Sequence, residues 1–215
     1  MKLAIFGLSV SSSWGNGHAV LWRALIRALA AQGHRTVFFE RDVPYYAENR
    51  DLRELEGGRL VLYRDWADAM AEARRELRDA DAAIVTSYCP DALAATDVIL
   101  DLPVLHVFYD LDSPVTLARF TAGDPVDYLG PTGFAPFDLV LSYAGGAALT
   151  GLRDNFGARK VAPLYGCVDP ERYRPAPAPP GRRAALSYLG TYAADRQREL
   201  ARLFLAPARR RPQDR

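Results

Sequence analysis

Short apolar runs alternate with segments of helical period from Lys2 almost to Leu164, and a chain with that alternation folds as a parallel sheet with helices on both faces. Strands are expected over 2–8, 35–40, 60–63, 82–87, 104–109, 137–142 and 160–164. The first helix is expected over 18–32, where Trp22, Leu25, Ile26 and Leu29 recur at helical spacing and Gly33 supplies the stop. A second, over about 65–78, carries Trp66, Met70, Ala73 and Leu77 on one face, with Asp68, Glu72, Arg75 and Glu76 on the other. That stripe reads as a core face. A further helix follows the sixth strand through Leu149 to about Asn155. The expected fold class is α/β, a Rossmann-like parallel sheet, over residues 1–173.

Composition then shifts. Prolines 175, 177, 179 and 180 make residues 174–183 a semi-rigid extended linker rather than helix or central strand. Beyond it a strand over 184–189, a Gly190-Thr191 turn and a helix over about 195–205 are expected, ending in a polar, frayed tail. Residues 184–215 thus read as the start of a second Rossmann-like domain that stops before it can bury a core.

With 49% hydrophobic and 25% charged residues in 215, the chain has the composition of a soluble globular protein. Its 27 basic and 26 acidic residues leave a net charge of +1, no footprint for nucleic acid or an anionic membrane. No apolar run approaches the ~18 residues of a membrane span, and the N-terminus lacks a cleavage pattern. Cys89 and Cys167 are too few and too distant for a zinc cluster or a disulfide framework, and both are expected as small buried hydrophobes. A cytoplasmic location is the expectation.

In an open parallel sheet, ligands bind beyond the C-terminal ends of the strands, where strand order reverses. Three loops there carry chemistry. The first, residues 9–18, runs through Trp14, Gly15, Asn16 and Gly17 to His18 and feeds a helix N-terminus, where backbone N–H groups suit an anion or a sugar hydroxyl. His18 suits a ligand contact or a base, or caps the helix. A dinucleotide fingerprint competes, with Glu40 placed as the ribose-binding acid. However, Val20 stands where the third glycine belongs, and the loop is too long for the tight turn. The second loop carries Asp110 and Asp112 past the fifth strand. They suit a cleft or a metal pair, although Ser113-Pro114 also reads as a helix start whose dipole Asp112 would favour. His106, inside that strand, reads as a satisfied core histidine ahead of a catalytic one. In the third loop Ser142, Tyr143, Gly145 and Gly146 either line the same cleft or serve close packing.

Taken together, Lys2-Leu3-Ala4-Ile5-Phe6-Gly7, Trp14-Gly15-Asn16-Gly17-His18, the run from Gly33 to Asp42 and the run from Phe108 to Thr116 resemble the N-terminal half of bacterial spore-maturation-type glycosyltransferases, of the GT-B group. Tyr165 to Pro175 resembles the segment leading into that family's donor domain, and Leu186 to Tyr192 its first strand and loop. The resemblance implies sugar transfer from a nucleotide sugar to an acceptor, between two facing Rossmann-like domains, with no cofactor and no obligatory metal. It makes His18, Asp110 and Asp112 the catalytic candidates. Trp14, Gly15, Asn16, Gly17, Ser142, Tyr143 and Gly145 become substrate-binding candidates, and Gly190 and Thr191 contacts to the donor phosphates. The family continues for roughly another domain's length. The 215-residue chain alone is therefore expected to have little or no transferase activity, the missing half being lost or supplied by a separate chain. The alternatives are a non-catalytic Rossmann-like binding or scaffold protein and an NAD-dependent enzyme.

Overall fold

The structure, a computed structural model, describes residues 1–177, 181, 186–190 and 192–214. It divides into two compact units, Met1–Tyr173 and Arg174–Arg215.

The first unit is an α/β sandwich on a Rossmann-like parallel sheet of seven strands: β1 (Lys2–Gly7), β2 (Arg35–Arg41), β3 (Arg59–Tyr63), β4 (Ala82–Thr86), β5 (Leu105–Asp110), β6 (Leu139–Ser142) and β7 (Val161–Pro163). The helices are α1 (Gly17–Ala31), the single turn α2 (Pro44–Ala47), α3 (Trp66–Leu77), α4 (Ala92–Leu100), α5 (Ser113–Ala122) and α6 (Ala147–Phe156). Strand order is β3-β2-β1-β4-β5-β6-β7, every pairing parallel. The order reverses between β1 and β4, so the loops leaving those two strands flank the crevice in which ligands of such sheets bind.

Alternation along the strands divides the core. Ala4, Phe6, Val37, Phe39, Val85 and Phe108 pack with Ala69, Ala73 and Leu77 of α3, Ala95 and Ile99 of α4 and Leu152 of α6. Ile5, Phe38, Ile84, Val107 and Tyr109 face the other way, onto Leu21, Trp22 and Ile26 of α1. Trp22 meets Phe38 and Tyr109 edge-on at 5.7 and 5.6 Å. Truncating a buried aromatic of this kind costs about 3–5 kcal/mol. Gly7 ends β1 because a Cβ there would lie 2.5 Å from the Phe38 ring. Lys2 ties the opposite end of the same strand to α3 through Glu76 at 2.8 Å.

In the second unit Leu186 to Leu189 form no strand, and the rest of the strand expected over 184–189 lies outside the described residues. A helical stretch runs from Ala194 to Arg210, further than expected, and its middle, Ala201–Leu205, is π-helical. Pro207 accounts for the widening: it donates no N–H, and its ring presses on the carbonyl four residues back. None of these helical residues is buried. No helix among the described residues is long and apolar enough to cross a membrane.

Candidate active site

The loop after β1 is held from inside. Glu40, at the end of β2 and fully buried, accepts hydrogen bonds from the Ser9 hydroxyl (2.9 Å), the Val10 and Ser11 N–H groups (2.7 and 2.9 Å) and the Ser11 hydroxyl (2.5 Å). The sequence compared Glu40 with a ribose-binding acid; the fold spends it on this loop. Asn16 closes the loop as the N-cap of α1. Its Oδ1 accepts from the His18 N–H (3.1 Å), and its Nδ2 donates to the Ser9 carbonyl (3.0 Å). Asn16 is thus buried and occupied, a support for the loop. Trp14 is 60% exposed beside it, and Gly15 (φ +60°) makes the left-handed turn. Gly17 is the exposed first residue of α1.

His18 projects from the first turn of α1 between two tyrosines, its ring centroid 6.5 Å from Tyr88 and 6.4 Å from Tyr143. Burial pushes its pKa below the ordinary 6.5, against the nearby charge of Asp112. Its imidazole is therefore neutral at neutral pH and has a proton-accepting nitrogen.

Tyr88, two residues past β4, was not among the expected site residues. Alone among the described non-glycine residues it has a positive φ, +66°. Left-handed backbone is uncommon for a bulky side chain and concentrates at functional sites. The strain places the ring beside His18 and brings the hydroxyl 3.0 Å from Asp112 Oδ2, to which it donates. Burial, and then the Asp112 charge, push the phenol pKa well above its usual range. Only position could have flagged Tyr88: it follows β4, one of the two strands at the reversal.

Asp110 ends β5, fully buried. Its Oδ1 accepts from the Thr116 hydroxyl (2.9 Å) and the Asp112 N–H (3.3 Å), while Oδ2 has no partner. Burial raises its pKa, against these hydrogen bonds. Thr116 also lies 2.8 Å from the Tyr128 hydroxyl, continuing the polar chain under the crevice. Asp112 occupies the N-cap position of α5, yet its side chain makes no capping bond and turns to Tyr88.

The loop after β6 completes the site on one side. Ser142 is buried and engaged with the Ser113 hydroxyl (2.6 Å) and the Ala144 carbonyl (2.7 Å), so it shapes the loop. Tyr143 is half-exposed beside His18. Gly145 leaves room for the Tyr165 hydroxyl, and Gly166 for that of Tyr143.

Other candidates stand apart. His106 lies at the opposite, N-terminal end of the strands, the second residue of β5, with Nε2 3.0 Å from the Leu102 carbonyl and Nδ1 3.4 Å from Asp138. It is satisfied and only half-buried. Cys89 is buried and its thiol pushed up to about 12, whereas Cys167 is exposed, contrary to expectation. Gly190 lies in the second unit, and Thr191 lies outside the described residues. No three His, Cys, Asp or Glu side chains among the described residues are grouped as a metal site. A cavity of about 60 Å³ lies elsewhere, lined by Arg23 and Arg27 of α1 together with Leu52, Glu56, Asp169 and Arg172. Its charged groups are paired, Arg27 with Asp169, Arg172 with Glu56, and Arg23 with Asp51 outside the lining.

No family model matches the chain, and no curated protein or solved structure shows significant similarity to it.

Proposed function

We propose that residues 1–173 are the acceptor-side half of a GT-B-type sugar transferase that uses a nucleotide-sugar donor. The observation that carries this reading is the meeting of His18, in the first turn of α1, with Tyr88 and Asp112, from the loops after β4 and β5, beside the reversal of strand order between β1 and β4. Neutral His18 takes the proton of an acceptor hydroxyl as that oxygen bonds to the anomeric carbon. The sugar–phosphate bond breaks in the same transfer, and the nucleoside diphosphate leaves. Asp112 stabilises the imidazolium that forms, and Tyr88 fixes Asp112. Contacts to the nucleotide come from a domain facing this crevice, and the transfer needs no metal. The dinucleotide alternative is disfavoured because the Val10 and Ser11 N–H groups, which would face a phosphate, already serve Glu40.

Titration of the isotope-labelled chain, read at the His18 and Tyr88 resonances, tests the reading. Simple glycosides are expected to shift both, and NAD neither. Silence toward every glycoside and nucleotide sugar would overturn it. A saturable response to NAD would replace it with a dinucleotide enzyme.

A further inference from the structure

Residues 87–91 connect β4 to α4, and Tyr88 is the second of them. The Cys89 N–H donates to the Thr86 carbonyl (3.3 Å), which makes Tyr88 the third residue of a tight turn. A positive φ at that place ordinarily calls for glycine. A tyrosine persists there only where the surroundings over-determine the backbone.

Both flanks of Tyr88 are held. Before it, the Ser87 N–H donates to the Tyr109 carbonyl (3.1 Å), the Ser87 Oγ accepts from the Leu111 N–H (2.8 Å), and the Ser87 carbonyl accepts from the Thr86 hydroxyl (3.1 Å). After it, the carboxylate of Asp91 is gripped at both oxygens. Oδ1 accepts from Arg41 Nη1 (3.2 Å) and Oδ2 from the Tyr63 hydroxyl (3.0 Å). Arg41 and Tyr63 are register partners at the ends of β2 and β3. Tyr63 is a buried core residue, and Arg41 is fixed in turn by its Nε bond to the Arg64 carbonyl (3.1 Å).

Asp91 stands at the N-cap position of α4, yet its side chain makes no capping bond. It forgoes the bond such residues ordinarily make, for an ion pair to a partly exposed arginine that adds little stability. Asp112 does the same at the start of α5, and its carboxylate goes to Tyr88 itself. One helix-start carboxylate thus receives the Tyr88 hydroxyl, and the other anchors the far end of its loop.

We propose that Asp91 is a positioning residue: clamped by Arg41 and Tyr63, it keeps Tyr88 in left-handed backbone and so holds the ring beside His18. Its bearing on ligand binding rests on reading the crevice as the acceptor site. Its hold on Tyr88 does not.

The ranking of glycine over alanine at position 88 reads the backbone directly, since neither residue carries the ring. With Asp91 in place, Tyr88→Gly is expected to exceed Tyr88→Ala by about fivefold in the folding equilibrium. Adding Asp91→Ala to each should erase that gap. Tyr63→Phe keeps the core ring and opens the clamp from the other side, so it should narrow the gap even where Asp91→Ala fails to fold. With Tyr88 present, Asp91→Ala should weaken the nuclear Overhauser contact between the His18 and Tyr88 rings. Its glycoside affinity should fall about tenfold, as follows when only about a tenth of the molecules keep Tyr88 in place. An undiminished gap in both backgrounds, or a glycoside affinity that Asp91→Ala leaves unchanged, would overturn the proposal. Failure of the native chain to bind any glycoside would overturn the acceptor reading instead, and the gap and the ring contact would then decide whether Asp91 holds Tyr88.

Discussion

Ser11 donates to Glu40 twice, through its N–H at 2.9 Å and its hydroxyl at 2.5 Å. A buried carboxylate inside a loop of N–H and O–H donors does there what a bound anion does in phosphate-binding sheets. Glu40→Gln can keep the two backbone bonds on its oxygen and turn its amide toward the serine hydroxyls, which rotate to accept. It is expected to cost about 1–2 kcal/mol. Glu40→Ala leaves every donor unmatched and should cost 3 kcal/mol or more, on the order of a broken buried charged network. Urea unfolding of the two variants measures the gap.

Tyr88 offers a test through an inverted ranking. At ordinary positions glycine is less stable than alanine, but left-handed backbone reverses that order. Tyr88→Gly is expected to be about 1 kcal/mol more stable than Tyr88→Ala, although both lose the ring. Tyr88→Phe keeps the ring and loses only the hydroxyl bond to Asp112. It should change stability by about 1 kcal/mol or less while weakening glycoside binding.

Acid sensitivity should carry the mark of His18. Its folded pKa lies below 6.5, so between the two values the unfolded chain binds more protons than the folded one. Stability therefore rises with pH through that window and is lost as pH falls below about 6.5. His18→Gln should flatten that part of the stability profile. Asp51, held below the usual carboxylate range first by its hydrogen bond from Arg23, acts in a separate, more acid window. Its contribution is present above 3.8 and is lost as pH falls below that. Denaturant melts at closely spaced pH values separate the two windows.

Asp110 runs the other way. Burial raises its folded pKa above 3.8, so the folded state holds its proton longer and stability falls as pH rises through the raised value. Asp110→Asn keeps an acceptor for Thr116 and removes a costly buried charge. It is expected to stabilise the protein at neutral pH, by about 1 kcal/mol, and to impair ligand binding. The gain should shrink as pH falls below the raised folded value, where the native carboxyl is itself neutral.

The strands were legible because a strand buried on both faces of a parallel sheet must be an apolar run, as Ala82 to Thr86 is. α1 and α3 were legible because each shows a single apolar stripe. α4 was not: Ala92–Leu100 is short and apolar on nearly every side, and gives no period to read. The sixth strand begins at Leu139 rather than Phe137, whose apolar side chain enters the core from a loop. At the site, glycines and aspartates announced the loops after β1 and β5. Tyr88 stayed hidden because no local sequence rule marks a tyrosine for left-handed backbone. Asn16 and Ser142, expected to bind substrate, are instead buried supports of their loops, because their partners, Ser9 and Ser113, are fixed only by tertiary folding.

The crossed packing of Tyr143 over Gly166 and Tyr165 over Gly145 has a consequence for how this rim can change. Each glycine leaves room for the hydroxyl end of the tyrosine opposite, so a side chain gained on one loop must swing an exposed ring of the other aside. Single substitutions at either glycine should therefore redirect a tyrosine of the rim beside His18 rather than unfold the loops, and replacing the glycine together with the facing tyrosine should leave the rest of the rim in place.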